Sequence, residues 1–422
     1  VQRRMTGLIA AGAALGMTVV LAGCGSPGGS EVTKLTLVAA DYGTSAENTS
    51  RKYWDKVIDA FEEKHSGIDV EVTVLSWNDV DAEVKKMVDA GDAPDLAQIG
   101  AYADYAAAEE LYTVEDLLSI QVHADFLPTL SDAGEVARVQ YGMPFASSTR
   151  LLFYNKDLFE RAGITKAPRT WDELQEAARL LKDEDVLYPY ALPLGPEEAQ
   201  GETLMWLLSG GAGYTDDIGS YRLDSEANVR TFDWLKDELV GEGLTGPVPP
   251  AELNRADAFA AFTDGKVGML NGHPTLMQKA AQKGVDFGMV PMPGIKGEAD
   301  ASMGVADWMM AFRQNGHQDE IGEFLDFVYA KENVLDFSRR YDMLPVTVSA
   351  AEEMAGNADD AALVTFLDGL PSAQLYPVGK TSWARVSADI KRRIGTAVTE
   401  GGDPAVVLNA LQRGAARADQ PE

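Results

Sequence analysis

Leu151-Leu152-Phe153-Tyr154-Asn155-Lys156-Asp157-Leu158-Phe159-Glu160-Arg161-Ala162-Gly163-Ile164 leads, after Thr165-Lys166-Ala167, into Pro168-Arg169-Thr170-Trp171-Asp172-Glu173-Leu174. The first four residues are apolar and read as a short strand. Thr170 has the chemistry of a helix N-cap, and Glu173 three residues later completes a capping box. The helix then continues through Leu174, Ala177, Ala178 and Leu181. What decides the fold is whether the same strand and helix alternation surrounds this stretch.

It does. Upstream, Thr33 to Ala40 alternates into a strand that breaks at Asp41-Tyr42-Gly43. Tyr53, Trp54, Val57, Ile58 and Phe61 fall on one helical face. Gly67 ends that helix, and Ile68 to Val74 alternates strictly. Val80, Val84, Met87 and Val88 mark a further helix, and Pro94 to Ile99 a third strand. Downstream, residues 200–245 read as helical, with a break at Gly210-Gly211-Ala212-Gly213. That cluster lacks the setting and the Lys-Ser/Thr ending of a phosphate loop. Val285 to Val290 reads as a strand, and Ile321, Phe324, Leu325 and Val328 as a helix. Such alternation predicts an α/β fold with mainly parallel sheets.

The N-terminal segment has a different character. Arg3 and Arg4 precede a charge-free run from Leu8 to Leu21, followed by Ala22, Gly23 and Cys24. The run is short for a membrane span and has the order of a secretory signal peptide. Small residues followed by a cysteine resemble the lipobox of bacterial lipoproteins. Residues 1–23 are expected to be removed, and Cys24 to carry acyl chains such as palmitate. Residues 24–32 then form a Gly/Ser-rich leash. The expected place is the outer face of the cell membrane, by the general or the twin-arginine route.

Cys24 is the chain's one cysteine, so no internal disulfide is possible. The formal net charge is −30, which disfavours nucleic acid and anionic membrane surfaces. His65, His123, His273 and His317 are scattered, without metal-ligand spacing. No cofactor, metal site or catalytic triad is expected.

Several separated segments resemble the extracellular solute-binding proteins of ABC importers, in particular the carbohydrate-binding group. They are Tyr53 to Val70, Asp89 to Leu96, Tyr141 to Phe145 running into the opening stretch, Phe259 to Met269, Phe324 to Tyr329, and Leu344-Pro345-Val346. The resemblance implies a two-lobe fold of the periplasmic-binding-protein type, with a hinge between the lobes. It places lobe one at 31–146 plus 305–344 and lobe two at 147–304 plus 345–422. Passages between them are expected near Ala146–Leu151, Gly304–Trp308 and Leu344–Thr347. It implies a monomer that closes on a sugar and hands it to permease subunits.

A sugar offers an apolar ring face and a rim of hydroxyls, suited to aromatics and to polar side chains respectively. The candidate aromatics are Tyr42, Trp77, Tyr102, Trp206, Trp308 and Trp383. The polar candidates are Asp41, Asp79, Ser148, Asn271, His273, Asp307 and Arg385. Trp54, Trp171 and Trp234 fall on amphipathic helices and read as core. Two positions depart from the family pattern. His273 stands where an aromatic platform is common, and Ser148 where maltose binders carry a carboxylate. A cationic or polyol solute caged by Asp41, Asp79 and Asp307 is an alternative ligand. A lipoprotein glycosidase using two carboxylates is a further one, but among 66 acidic residues a pair carries no information.

Overall fold

A computed structural model describes residues 32–43 and 45–420. Cys24, the signal segment and the leash up to residue 31 lie outside the described residues. In chain order the strands are β1 (Thr33–Ala40), β2 (Ile68–Leu75), β3 (Leu96–Ile99), β4 (Glu135–Val136), β5 (Val139–Gln140), β6 (Met143–Thr149), β7 (Leu151–Asn155), β8 (Tyr188–Tyr190), β9 (Val267–Gly272), β10 (Phe287–Val290) and β11 (Gly304–Ala311). One five-stranded sheet has the order β2-β1-β3-β11-β6, and a four-stranded sheet the order β10-β7-β9-β8. β4 and β5 make a small hairpin. Helices pack on both sheets, giving two α/β lobes.

The parallel arrangement expected from the sequence holds for β1, β2 and β3, which are joined through helices. Elsewhere it is corrected. β11 runs antiparallel to both β3 and β6, and β7 antiparallel to both β9 and β10. β8 and β9 are parallel. A crossover helix keeps successive strands parallel. β7 and β11 enter their sheets from the other lobe, without such a helix, and are free to run either way.

Local features follow the sequence with small shifts. Tyr53, Trp54, Val57, Ile58 and Phe61 form the buried face of helix Ser50–Glu62. Thr170 caps helix Trp171–Asp183 by accepting from the Glu173 N–H at 3.2 Å. The Glu173 carboxylate reaches back one residue further than a capping box requires, to the Arg169 N–H at 2.7 Å. The helical stretch expected over 200–245 divides into Ala199–Ser209, Glu226–Trp234 and a π-helical Leu235–Val240. The interruption runs well past the glycine cluster.

The two lobes join where three chain segments lie side by side. Arg150 alone separates β6 from β7. Its carbonyl accepts from Ser302 Oγ at 2.7 Å, just ahead of β11. Gln374 pairs with the same segment: its N–H donates to the Ser302 carbonyl, and its carbonyl accepts from the Gly304 N–H, both at 2.9 Å. The third passage therefore falls near Gln374 and not at Leu344–Thr347. Residues 345–372 stay with lobe one. The Val346 carbonyl accepts from the Leu127 N–H at 2.9 Å, and Asp125 accepts from the Ser349 N–H at 3.0 Å.

Candidate functional site

Between the lobes lies a cleft of about 540 Å³. Its lobe-one wall is built at the ends of strands, where open α/β sheets place ligands. Asp41 follows β1, and its Oδ1 accepts from the Gly43 N–H at 2.9 Å and the Ser50 N–H at 2.8 Å. The carboxylate thus ties the loop to the start of helix Ser50–Glu62. Tyr42 donates its hydroxyl to Asp307 Oδ2 at 2.7 Å and accepts from Gln98 Nε2 at 3.0 Å. Its ring meets Trp77 edge-on, with centroids 5.3 Å apart. Trp77 is 36% exposed, unusual for an indole and available to a ligand. Ser148 and Asp307 complete this wall. Burial pushes the Asp307 carboxyl up to about 7, against the pull of the Tyr42 hydrogen bond.

The lobe-two wall is an ion network. Glu198 sits just before helix Ala199–Ser209, Arg255 opens helix Arg255–Thr263, and His273 follows β9. Arg150 Nη2 donates to Glu198 Oε1 at 2.9 Å. Arg255 Nη2 donates to Glu197 Oε1 at 2.8 Å. Arg255 Nε lies 2.7 Å from Glu198 Oε2, an ion pair whose angle falls short of a hydrogen bond. Arg255 Nη1 stands 2.8 Å from His273 Nε2. A guanidinium can only donate, so Nε2 accepts and the imidazole is neutral with its proton on Nδ1. Burial, with Arg150 and Arg255 nearby, holds His273 well below its usual range. The guanidinium and carboxylate groups of this wall thus answer one another, and Lys279 adds a positive charge to the cleft lining.

The family model for bacterial extracellular solute-binding protein matches residues 45–334, well over half of the chain. The chain belongs to the bacterial extracellular solute-binding proteins. It is a binding protein and not an enzyme. A binding protein of Brucella abortus (strain 2308) is 27% identical over 388 residues, covering 87% of this chain and 89% of that one. The maltotriose-binding protein of Pyrococcus abyssi (strain GE5 / Orsay) is 26% identical over 235 residues, covering 54% of this chain and 48% of its own. The fold matches the cyclic alpha-maltosyl-1,6-maltose binding protein of Arthrobacter globiformis with a TM-score of 0.78 at 18% identity, over 92% of this chain and 98% of that one.

In this solute-binding protein the cleft brings together Asp41, Tyr42, Trp77, Ser148, His273 and Asp307. Asn271 lines a small recess beside the cleft. The other candidates lie elsewhere. Trp308 is fully buried beside Tyr102, ring centroids 5.2 Å apart. Asp307, the residue before it, lines the cleft, and β11 shifts register between the two. Tyr102 donates to the Ala133 carbonyl at 2.5 Å. Trp206 is fully buried because helix Ala199–Ser209 is covered on every side; it packs against Trp171, Trp234 and Tyr190. Trp383 stacks on Tyr376 at 5.1 Å inside lobe two. Arg385 is exposed on the same helix, away from the cleft. Asp79 is exposed and accepts from Ser76 Oγ at 2.5 Å. The cage of Asp41, Asp79 and Asp307 is therefore not assembled.

Sequence reading missed Arg150, Glu198, Arg255 and Glu202. Glu202 is buried behind the wall, and its Oε1 accepts from Tyr190 Oη at 3.1 Å, Trp206 Nε1 at 2.8 Å and Asn271 Nδ2 at 3.0 Å. Burial outweighs these bonds and pushes Glu202 up to about 7.

Two carboxyls raised in this way make stability fall with rising pH. The unfolded chain releases each proton near the ordinary carboxyl values of 3.8 and 4.5, while the folded chain holds it to about 7. Their stabilising protonation is complete below about pH 4 and lost as pH rises through about 7. Asp307→Asn keeps an acceptor for Tyr42 and removes one titration. The unliganded variant should match the wild type near pH 4 and exceed it by up to about 4 kcal/mol at pH 8. Denaturant unfolding at both pH values measures this; a constant difference across the range would refute it.

Proposed function

We propose that this solute-binding protein is held at the outer face of the membrane through lipid on Cys24. It captures a neutral sugar or oligosaccharide between its lobes and delivers it to the membrane subunits of an ABC importer. The observation that carries the ligand reading is the cleft's combination of an exposed indole with guanidinium and carboxylate groups that are already paired. Trp77 and Tyr42 offer an apolar face. Opposite them, the guanidinium groups are paired and the imidazole is neutral. A charged solute would have to break those pairs, whereas hydroxyls exchange hydrogen bonds with them. The maltotriose-binding and cyclic maltosyl-maltose-binding relatives support the same ligand class.

Lobe closure about the Arg150, Ser302 and Gln374 segments would bring both walls onto the ligand. The test is calorimetry with maltose, maltotriose, cyclic maltosyl-maltose and tagatose, and X-ray scattering with the tightest of them. The expected result is binding without turnover and a smaller radius of gyration when bound. Trp77→Ala should weaken binding by about tenfold to a hundredfold, the scale of losing one aromatic anchor, about 1–3 kcal/mol. Failure of every sugar to bind, or an unchanged affinity in the Trp77 variant, would count against this reading.

A further inference from the structure

Beside the cleft, and sharing Arg150, Glu198, Arg255, Phe259 and His273 with it, lies a recess of about 20 Å³ that Glu202, Asn271 and Met205 also line. That is room for one water-sized group. One buried atom shows that the recess is built to receive a hydrogen-bond donor. Asn271 is 5% exposed, its Nδ2 is spent on Glu202, and its Oδ1 is buried with no partner. Glu202 is 7% exposed, and all three of its donors go to Oε1. Among the described residues none donates to Oε2. A buried acceptor left without a donor is costly, and Asn271 Oδ1 at this one small space calls for a donor from outside the chain.

We propose that this recess is a specificity subsite that takes a single unsubstituted hydroxyl of the bound sugar, which donates its hydrogen to Asn271 Oδ1 beside Glu202. The inference rests on the sugar reading and narrows it. An alcohol fits because it fills one water's space and can both donate and accept. A phosphate, a carboxylate or an acetylated oxygen is too large, and the anions also meet Glu198 and Glu202. The guanidinium groups at the entrance offer no compensation, since Glu197 and Glu198 already hold Arg255, and Glu198 also holds Arg150. The ligand should therefore enter with a free hydroxyl at this end. Substitution of that one position should exclude it, whatever the length of the sugar beyond.

The experiment uses the panel sugar that the wild type binds most tightly, together with its monodeoxy analogues. Glu202→Gln keeps an oxygen for Tyr190, Trp206 and Asn271 and puts an amide donor beside Asn271 Oδ1, in competition with the ligand hydroxyl. Calorimetry should show the parent sugar weakened at least tenfold in this variant. One deoxy analogue should already be weakened in the wild type and suffer no further loss in the variant. Asn271→Ser should single out the same analogue, which keeps the test decisive if Glu202→Gln folds poorly. Equal losses for every analogue, or unchanged affinity for the parent in both folded variants, would overturn the subsite and leave the sugar reading standing. A wild type that binds none of the panel sugars would overturn both.

Discussion

Trp308→Ala should lower the stability of the protein by about 3–5 kcal/mol, the cost of emptying a large aromatic site in a packed core. The folded fraction should keep its affinity for sugar. Trp308 is fully buried in β11, between β3 and β6, and its ring meets Tyr102 at 5.2 Å. The site has no slack to absorb the loss. A Cβ built on Gly142 would stand 2.9 Å from both the Trp308 and Tyr102 rings. Backbone and rings are thus already in close contact, and alanine leaves a cavity that the sheet cannot close. Urea unfolding gives the stability change. Calorimetry, at a temperature where the variant is still folded, gives the affinity. A hundredfold loss of affinity with unaltered stability would return Trp308 to the cleft. Trp77→Ala makes the natural contrast, because Trp77 is 36% exposed and should lose affinity with little loss of stability.

That contrast shows what the sequence could and could not reveal. Helix Ser50–Glu62 and strands β1 and β2 were legible because burial on one face imposes a period, and the period survives in the residue order. The cleft residues at strand ends were legible for a related reason: Asp41-Tyr42 follows β1 directly, and His273 follows β9. The tryptophans were not. An indole in an apolar strand or an all-buried helix has the same neighbours in sequence whether it faces a ligand or a core. Trp308 was decided by its being adjacent to Asp307, with β11 shifting register at that pair. Trp206 was decided by the packing of Trp171 and Trp234, from two other helices. The ion network was invisible for another reason. Arg150, Glu198 and Arg255 come from a hinge, a loop and a helix start, and only the fold brings them together. Glu197-Glu198 alone carried a signal, as acidic residues in a loop that follows a strand.

The last expected result concerns attachment. Cys24→Ser should move essentially all of the protein from the membrane fraction to the medium, or leave it as an uncleaved precursor. The size of the effect follows from the charge. A net charge of −30 gives the chain an acidic surface that anionic lipid repels. No helix among the described residues is long and apolar enough to cross a membrane. On the proposed reading, acyl chains on the Cys24 thiol then supply the whole attachment. One chain binds marginally and reversibly, while two or more give a stable anchor, each buried CH₂ adding about 0.8 kcal/mol. Serine carries no thiol, so the loss should be complete and not graded. The cleft should be untouched, because β1 begins at Thr33 and the first cleft residue is Asp41. Fractionation of cells carrying the variant, with mass spectrometry of the mature N-terminus and calorimetry on the released protein, separates the two effects. A variant that remains anchored and processed like the wild type would refute lipid attachment at Cys24 without bearing on the sugar site.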